Sequence, residues 1–116
     1  MDGRIRKKLQ NGAVILELDG PLRMGPYLND VMAACYASLE QNPRALIIDL
    51  TNVGSLDTAA IGELIQLNTR AASRKTALCL TGVSARIRHL LEVMRLDVVL
   101  ACYADSQAAL EASRKS

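Results

Sequence analysis

The chain of 116 residues has no tryptophan and no phenylalanine, and three tyrosines supply its whole 3% aromatic content. A core built from it must be aliphatic, and it offers no platform on which the bases of single-stranded nucleic acid could stack. Charge of one sign is also scarce. Fourteen basic and twelve acidic side chains leave a net charge of +2, too little to imply direct binding of a nucleic acid. No apolar run approaches the roughly 20 residues of a membrane span, and the N-terminus has no signal-peptide apolar segment, so no membrane insertion is expected. Cys35, Cys79 and Cys102 are odd in number and lack C-x-x-C spacing, which suits free thiols in a reducing cytoplasm. The single histidine, His89, lies between Arg88 and Leu90 and reads as solvent-facing. No set of His, Cys or carboxylate groups shows metal-ligand spacing, and no phosphate-binding glycine loop occurs, so neither metal nor cofactor is expected. What remains is one cytoplasmic domain over residues 1–116, with a polar, flexible tail from about residue 113 and no linker or internal repeat.

The residues present alternate between strand and helix patterns. Asn11-Gly12 is the preferred two-residue hairpin turn, which pairs Gln10 with Ala13, Leu9 with Val14 and Ile5 with Leu18. The same register sets Arg6 against Glu17 and Arg4 against Asp19, so the basic run Arg4, Arg6, Lys7, Lys8 reads as an edge strand protected by charge. Gly25-Pro26 opens a helix whose apolar face is Leu28, Val31, Met32, Cys35 and Leu39, with Asn42-Pro43 beyond its end. Ala45–Leu50 is a nearly unbroken apolar strand of the kind covered on both faces or at least well buried. Thr76–Leu80 forms the next strand. Ser84 caps a third helix with core face Ile87, Leu90, Leu91 and Met94, Val98–Cys102 forms the last strand, and Ser106–Ser113 a short helix. These elements predict an α/β fold: a mixed sheet, antiparallel at the N-terminal hairpin and parallel further in, packed with about four helices.

One stretch, Ser55-Leu56-Asp57-Thr58-Ala59-Ala60-Ile61-Gly62, organises the rest. Asp57 can accept from first-turn amides as an N-cap, which puts Leu56 at N′ and Ile61 at N4, the two positions of a hydrophobic staple. Thr58 then occupies N1, where its hydroxyl stands at the positive end of a helix running to about Ser73. As a catalytic nucleophile Thr58 would need an adjacent base, and a capping Asp57 is already engaged by backbone amides. No enzyme activity is expected.

The order of hairpin, helix, strand and Asp57-Thr58-Ala59-Ala60-Ile61-Gly62 at a helix start resembles the STAS domain of bacterial anti-sigma factor antagonists. Members of that family read Gly-x-Leu-Asp after the hairpin, Asp-Ser-(Ser/Thr)-Gly-Leu-Gly at the central helix, and Gly-Leu after a later leucine-rich helix. The counterparts here are Gly20-Pro21-Leu22-Arg23, Asp57 to Gly62, and Leu90 to Leu96. The resemblance implies a STAS-like domain that binds a serine/threonine kinase acting as an anti-sigma factor. Phosphorylation of the residue after the motif aspartate, here Thr58, releases the antagonist, and a phosphatase restores it. By the same resemblance, Arg23, Ser55, Asp57, Thr58, Ala59 and Gly62 form the partner-binding region, and a homodimer is compatible with it. Three positions depart from the family pattern. Arg23 stands where an aspartate is usual, with Asp57 or a phosphate on Thr58 as its partners in view. Ala59-Ala60 replaces Ser/Thr-Gly, and Arg95 replaces the glycine before Leu96, so that turn is expected to be made differently. Two other roles fit the same motif: a constitutive subunit of a lipid-transport ABC ATPase, whose family motif often carries threonine after the aspartate, and a stressosome-type scaffold component.

Overall fold

The structure, a computed structural model, describes residues 4–114. Asn11 and Gly12 both take positive φ, 52° and 81°, the geometry of the tight turn that their identities predict. They join β1 (Ile5–Gln10) to β2 (Ala13–Asp19) in the expected register, from Gln10–Ala13 to Ile5–Leu18. The charge pairing differs from the register-based expectation at one end. The ladder stops at Ile5, and it is Arg6, not Arg4, that reaches Asp19, with its two terminal nitrogens 3.1 and 3.2 Å from the carboxylate oxygens. Arg6 Nε also donates to Glu17 Oε1 at 3.2 Å, and Lys8 Nζ lies 2.9 Å from Glu17 Oε2. Bonds from Lys8 and Arg6 hold the Glu17 carboxyl below its ordinary range, and a bond from Arg6 does the same for Asp19. Arg6 and Lys8 of the basic edge are thus matched by acids of the neighbouring strand, while Lys7 donates to Gln41 Oε1 at 3.4 Å.

From β2 the chain runs through α1 (Pro26–Leu39), β3 (Ala45–Asn52), α2 (Thr58–Ser73), β4 (Ala77–Thr81), α3 (Ala85–Val93), β5 (Ala101–Tyr103) and α4 (Ser106–Arg114). The sheet order is β1-β2-β3-β4-β5, with β1 antiparallel to β2 and every later pair parallel. Side chains alternate across a strand, and the two faces sort accordingly. Val14, Leu16, Leu46, Ile48, Leu50, Leu78 and Leu80 point into one buried cluster with the apolar faces of α1, α2 and α3. Ala13, Ile15, Ala45, Ile47 and Cys79 point the other way, against Ala109 and Leu110 of α4. This is the α/β fold expected, and β3 is covered on both sides as its apolar run demanded. In α1, Pro26 is at the helix start and Leu28, Val31, Met32, Cys35 and Leu39 are all buried. Burial pushes the Cys35 thiol up to about 12, so it is an inert core residue at neutral pH. Among the described residues, no helix is long and apolar enough to cross a membrane.

The C-terminal third departs from expectation. The last strand begins at Ala101 rather than Val98, because the amides of Val99 and Leu100 both turn back to the carbonyl of Leu96 and leave Val98 84% exposed. Of the four residues assigned to the core face of α3, only Ile87 and Leu91 are buried. Leu90 is half-buried, and Met94, which is the C-cap rather than part of the helix, is exposed. Arg114, expected in a tail, closes α4, while Lys115 and Ser116 of that tail lie outside the described residues.

Two backbone positions fix how α3 sits. Gly82, with φ +64°, crosses the end of β3 so closely that a Cβ would lie 2.1 Å from Thr51 Oγ1 and 2.9 Å from its amide nitrogen. Arg95 ends the helix in the left-handed region at φ 58°. Its N–H donates to Glu92 O at 3.0 Å, and the N–H of Leu96 to Leu91 O at 2.8 Å, the paired bonds of a Schellman stop. The turn before Leu96 is therefore made in the glycine-like way, with arginine bearing the left-handed backbone. That conformation costs a side-chain-bearing residue on the order of 1–2 kcal/mol, partly offset by the extra unfolded-state freedom of glycine. Arg95→Gly should therefore stabilise the chain by about 1 kcal/mol, and raise the melting temperature by several degrees in a calorimetric scan.

Candidate functional site

The parallel strands β2 and β3 end side by side, and the loops that leave them are bonded together. Gly20 N–H donates to Asn52 O at 2.9 Å, Leu22 N–H to Ser55 O at 3.1 Å, and Asp57 N–H to Leu22 O at 3.1 Å. Leu22 and Leu56 form a short parallel bridge, and both are buried. Leu56 and Ile61 enter the same core cluster, at the two staple positions predicted for the start of α2.

Asp57 fastens this junction. One carboxylate oxygen accepts from the Ala60 amide at 2.9 Å and caps α2, and the other accepts from the Met24 amide at 2.9 Å and holds the β2–α1 loop. These bonds from Met24 and Ala60, with a smaller contribution from the Ala59 amide and the Arg23 charge, keep the Asp57 carboxyl below its ordinary range. An ionised carboxylate with both oxygens committed to amides is a poor general base for its neighbour. Arg23 is exposed on the strapped loop and acts on Asp57 through its charge at longer range, without an ion pair.

Thr58 is exposed at the first position of α2. Gly62 lies four residues on, hence on the same face of the helix. It takes no positive φ, and a Cβ there would meet nothing within 4 Å. A helical glycine costs about 0.5–1 kcal/mol relative to alanine, and nothing in this chain requires it. The result is a shallow notch on that face, about one turn along α2 from Thr58. Of the other residues predicted for this region, Ser55 is half-buried and lends its carbonyl to the strap, and Ala59 is half-buried against the core. Arg23, Ser55, Asp57 and Thr58 are thus brought together on two joined loops, while Gly62 extends the surface along α2.

A groove of about 410 Å³ opens next to the site, between the β3–α2 loop and α3. Its apolar residues are Leu56, Ile87, Leu90 and Val93, and Arg86 and His89 stand on its wall. The sequence pattern places Leu56 at a staple position, Ile87 and Leu90 on the core face of α3 and His89 in solvent, but does not reveal a groove among them. A signal was nonetheless present: the apolar stripe of α3 is wider than the core can cover, and Val93 is left 66% exposed.

The sequence matches the STAS domain over residues 4–109. None of the curated proteins matches it significantly. Among solved structures, the fold is similar to an anti-sigma factor antagonist from Mycobacterium paratuberculosis, with a TM-score of 0.85 at 20% identity over 97% of this chain and 95% of that one. A sulfate transporter family protein from Wolinella succinogenes has a TM-score of 0.78 at 23% identity, over 94% of this chain and 90% of that one. The anti-sigma factor antagonist SpoIIAA in its unphosphorylated form has a TM-score of 0.73 at 13% identity, over 98% and 99% of the two chains. Identities this low speak to the fold, and the domain match speaks to the family. The chain, with its capped α2 start strapped to the preceding loop, belongs to the STAS domain family.

Proposed function

We propose that this STAS domain is a non-catalytic protein-interaction module, an anti-sigma factor antagonist whose binding to a serine/threonine kinase partner is switched by reversible phosphorylation of Thr58. The carrying observation is the placement of Thr58: exposed at N1 of α2, at the mouth of a helix dipole, and adjacent to an ionised carboxylate. Phosphate on Thr58 would add about −1.5 to −2 charges there. The helix N-terminus favours that charge and Asp57 opposes it, so the fold tolerates the modification. A docked partner does not, because like charges or an unpaired phosphate inside an interface cost several kcal/mol. Arg23, held beside Asp57 by the strap, supplies a cation to the partner-facing edge. Commitment of both Asp57 oxygens to backbone amides supports the non-catalytic reading.

Intact mass spectrometry with fragment mapping of the protein purified from its own cells tests the switch directly. A phosphate-sized increment on Thr58 is expected. Its absence across growth phases and stresses would overturn phosphoregulation and favour a constitutive partner role, as in an ABC ATPase complex. Thr58→Glu should weaken binding to the partner kinase at least about tenfold, measured by calorimetric titration, and leave the melting temperature within about 2 °C of the parent. The notch at Gly62 makes an opposite pair of effects testable. Gly62→Ala should stabilise the isolated chain by about 0.5–1 kcal/mol and yet weaken the partner complex, and stabilisation with unchanged affinity would remove Gly62 from the docking surface.

A further inference from the structure

We propose that the groove between α3 and the β3–α2 loop seats an acidic amphipathic helix of a partner protein. The proposal rests on reading this chain as a protein-interaction module, but it does not require phosphate at Thr58. The floor combines Leu56 of the loop with Ile87, Leu90 and Val93 of α3. These three α3 residues recur every third position, which makes one ridge along the helix surface against which a second helix can pack. Ile87 is buried beneath the ridge, Leu90 half-covered and Val93 66% exposed, so the apolar stripe passes out of the core and continues into solvent. The fold gains little from Val93 in that position, whereas an apolar partner side chain would gain from covering it.

Charge selects the occupant. The two titratable side chains on the groove are Arg86 and His89, both basic or neutral. Neither Glu92, the one acid within α3, nor Asp57, whose carboxylate accepts from the Met24 and Ala60 amides, lines it. An apolar floor with the Arg86 cation on its wall and no acid among its lining residues is complementary to a helix that carries leucine-type anchors at i, i+3 and i+4 flanked by glutamate or aspartate. It repels the lysine-flanked version of the same helix.

The probe is a synthetic helical peptide of about four turns with leucines on one face and glutamates beside them, paired with a counterpart in which every glutamate is lysine. Each is titrated into the full, unmodified chain while backbone amide resonances are followed. The acidic peptide should shift resonances of Ser55–Leu56 and of Arg86 to Val93. Arg86→Glu and Val93→Glu, both at exposed positions, should each weaken it at least about tenfold without moving the melting temperature. Equal binding of the lysine peptide, shifts confined to another surface, or no shift at all would overturn the proposal. Sedimentation of the wild-type chain covers the rival occupant: a dimer that Val93→Glu abolishes would give the groove to a second copy. Binding of the protein to phosphatidylserine vesicles through Arg86, with no peptide binding, would give it to a membrane surface. If a variant fails to fold, the two peptides on the wild-type chain decide. Because that chain carries no phosphate, an unmodified Thr58 in cells leaves this result standing, and a negative peptide result leaves the Thr58 switch standing.

Discussion

The Asp57 carboxylate makes the bond on which the candidate site depends. Its two oxygens each take one amide, Ala60 from α2 and Met24 from the preceding crossover loop, so one side chain caps a helix and ties down a loop distant in sequence. Neither amide has a partner within its own element, since first-turn amides are orphaned by helix geometry and a loop amide has no ladder. The carboxylate satisfies both, and the Leu22–Leu56 bridge joins the two loops through buried apolar side chains. What the protein gains is a rigid base from which Arg23 and Thr58 project without being used by the fold.

That division between structural and free groups explains how one position can carry a switch. A buried or capping hydroxyl could not accept a phosphate without loss of stability, whereas Thr58 at N1 is exposed at the positive end of a helix, which favours negative charge against the opposition of Asp57. Asp57 could not take the same role, because the fold spends it. Gly62 shows the converse economy. It gives up helix stability at a place where no neighbour among the described residues needs the space, and it leaves the helix backbone open to close approach from outside.

Much of this was legible in the sequence wherever short-range chemistry decides the structure. Asn11-Gly12 dictated the hairpin and its register, because few dipeptides accept two positive φ values. Asp57, Leu56 and Ile61 located the start of α2 to the residue, because a cap and a staple each require a particular spacing. Where long-range packing decides, pattern was insufficient. Val98-Val99 has strong strand character, yet the chain there is still completing the turn begun at Leu96, and the strand must wait until Ala101 can pair with Cys79. Met94 fits the apolar period of α3, but the Schellman stop at Arg95 ends the helix before Met94 can face the core. Arg95 itself was expected to alter the turn. The paired bonds to Glu92 and Leu91 outweigh the backbone penalty, and the glycine-like geometry persists.

The late start of β5 also bears on the groove. With only three residues, β5 pairs with β4 at Cys79, Leu80 and Thr81 and offers α3 little sheet to rest on. The helix is held instead at its ends, by the close crossing of Gly82 over Thr51 and by the turn at Arg95, and along its length by Ile87 and Leu91. A helix anchored by two buried residues, four apart, must leave the flank of its apolar stripe uncovered, and that flank is the one facing Leu56 and the strapped loop. The open groove and the exposed position of Thr58 therefore share a cause. Both sit where the β3–α2 loop, pinned by Asp57, stands next to elements the core leaves half-covered, so a partner that covers one is brought to the edge of the other.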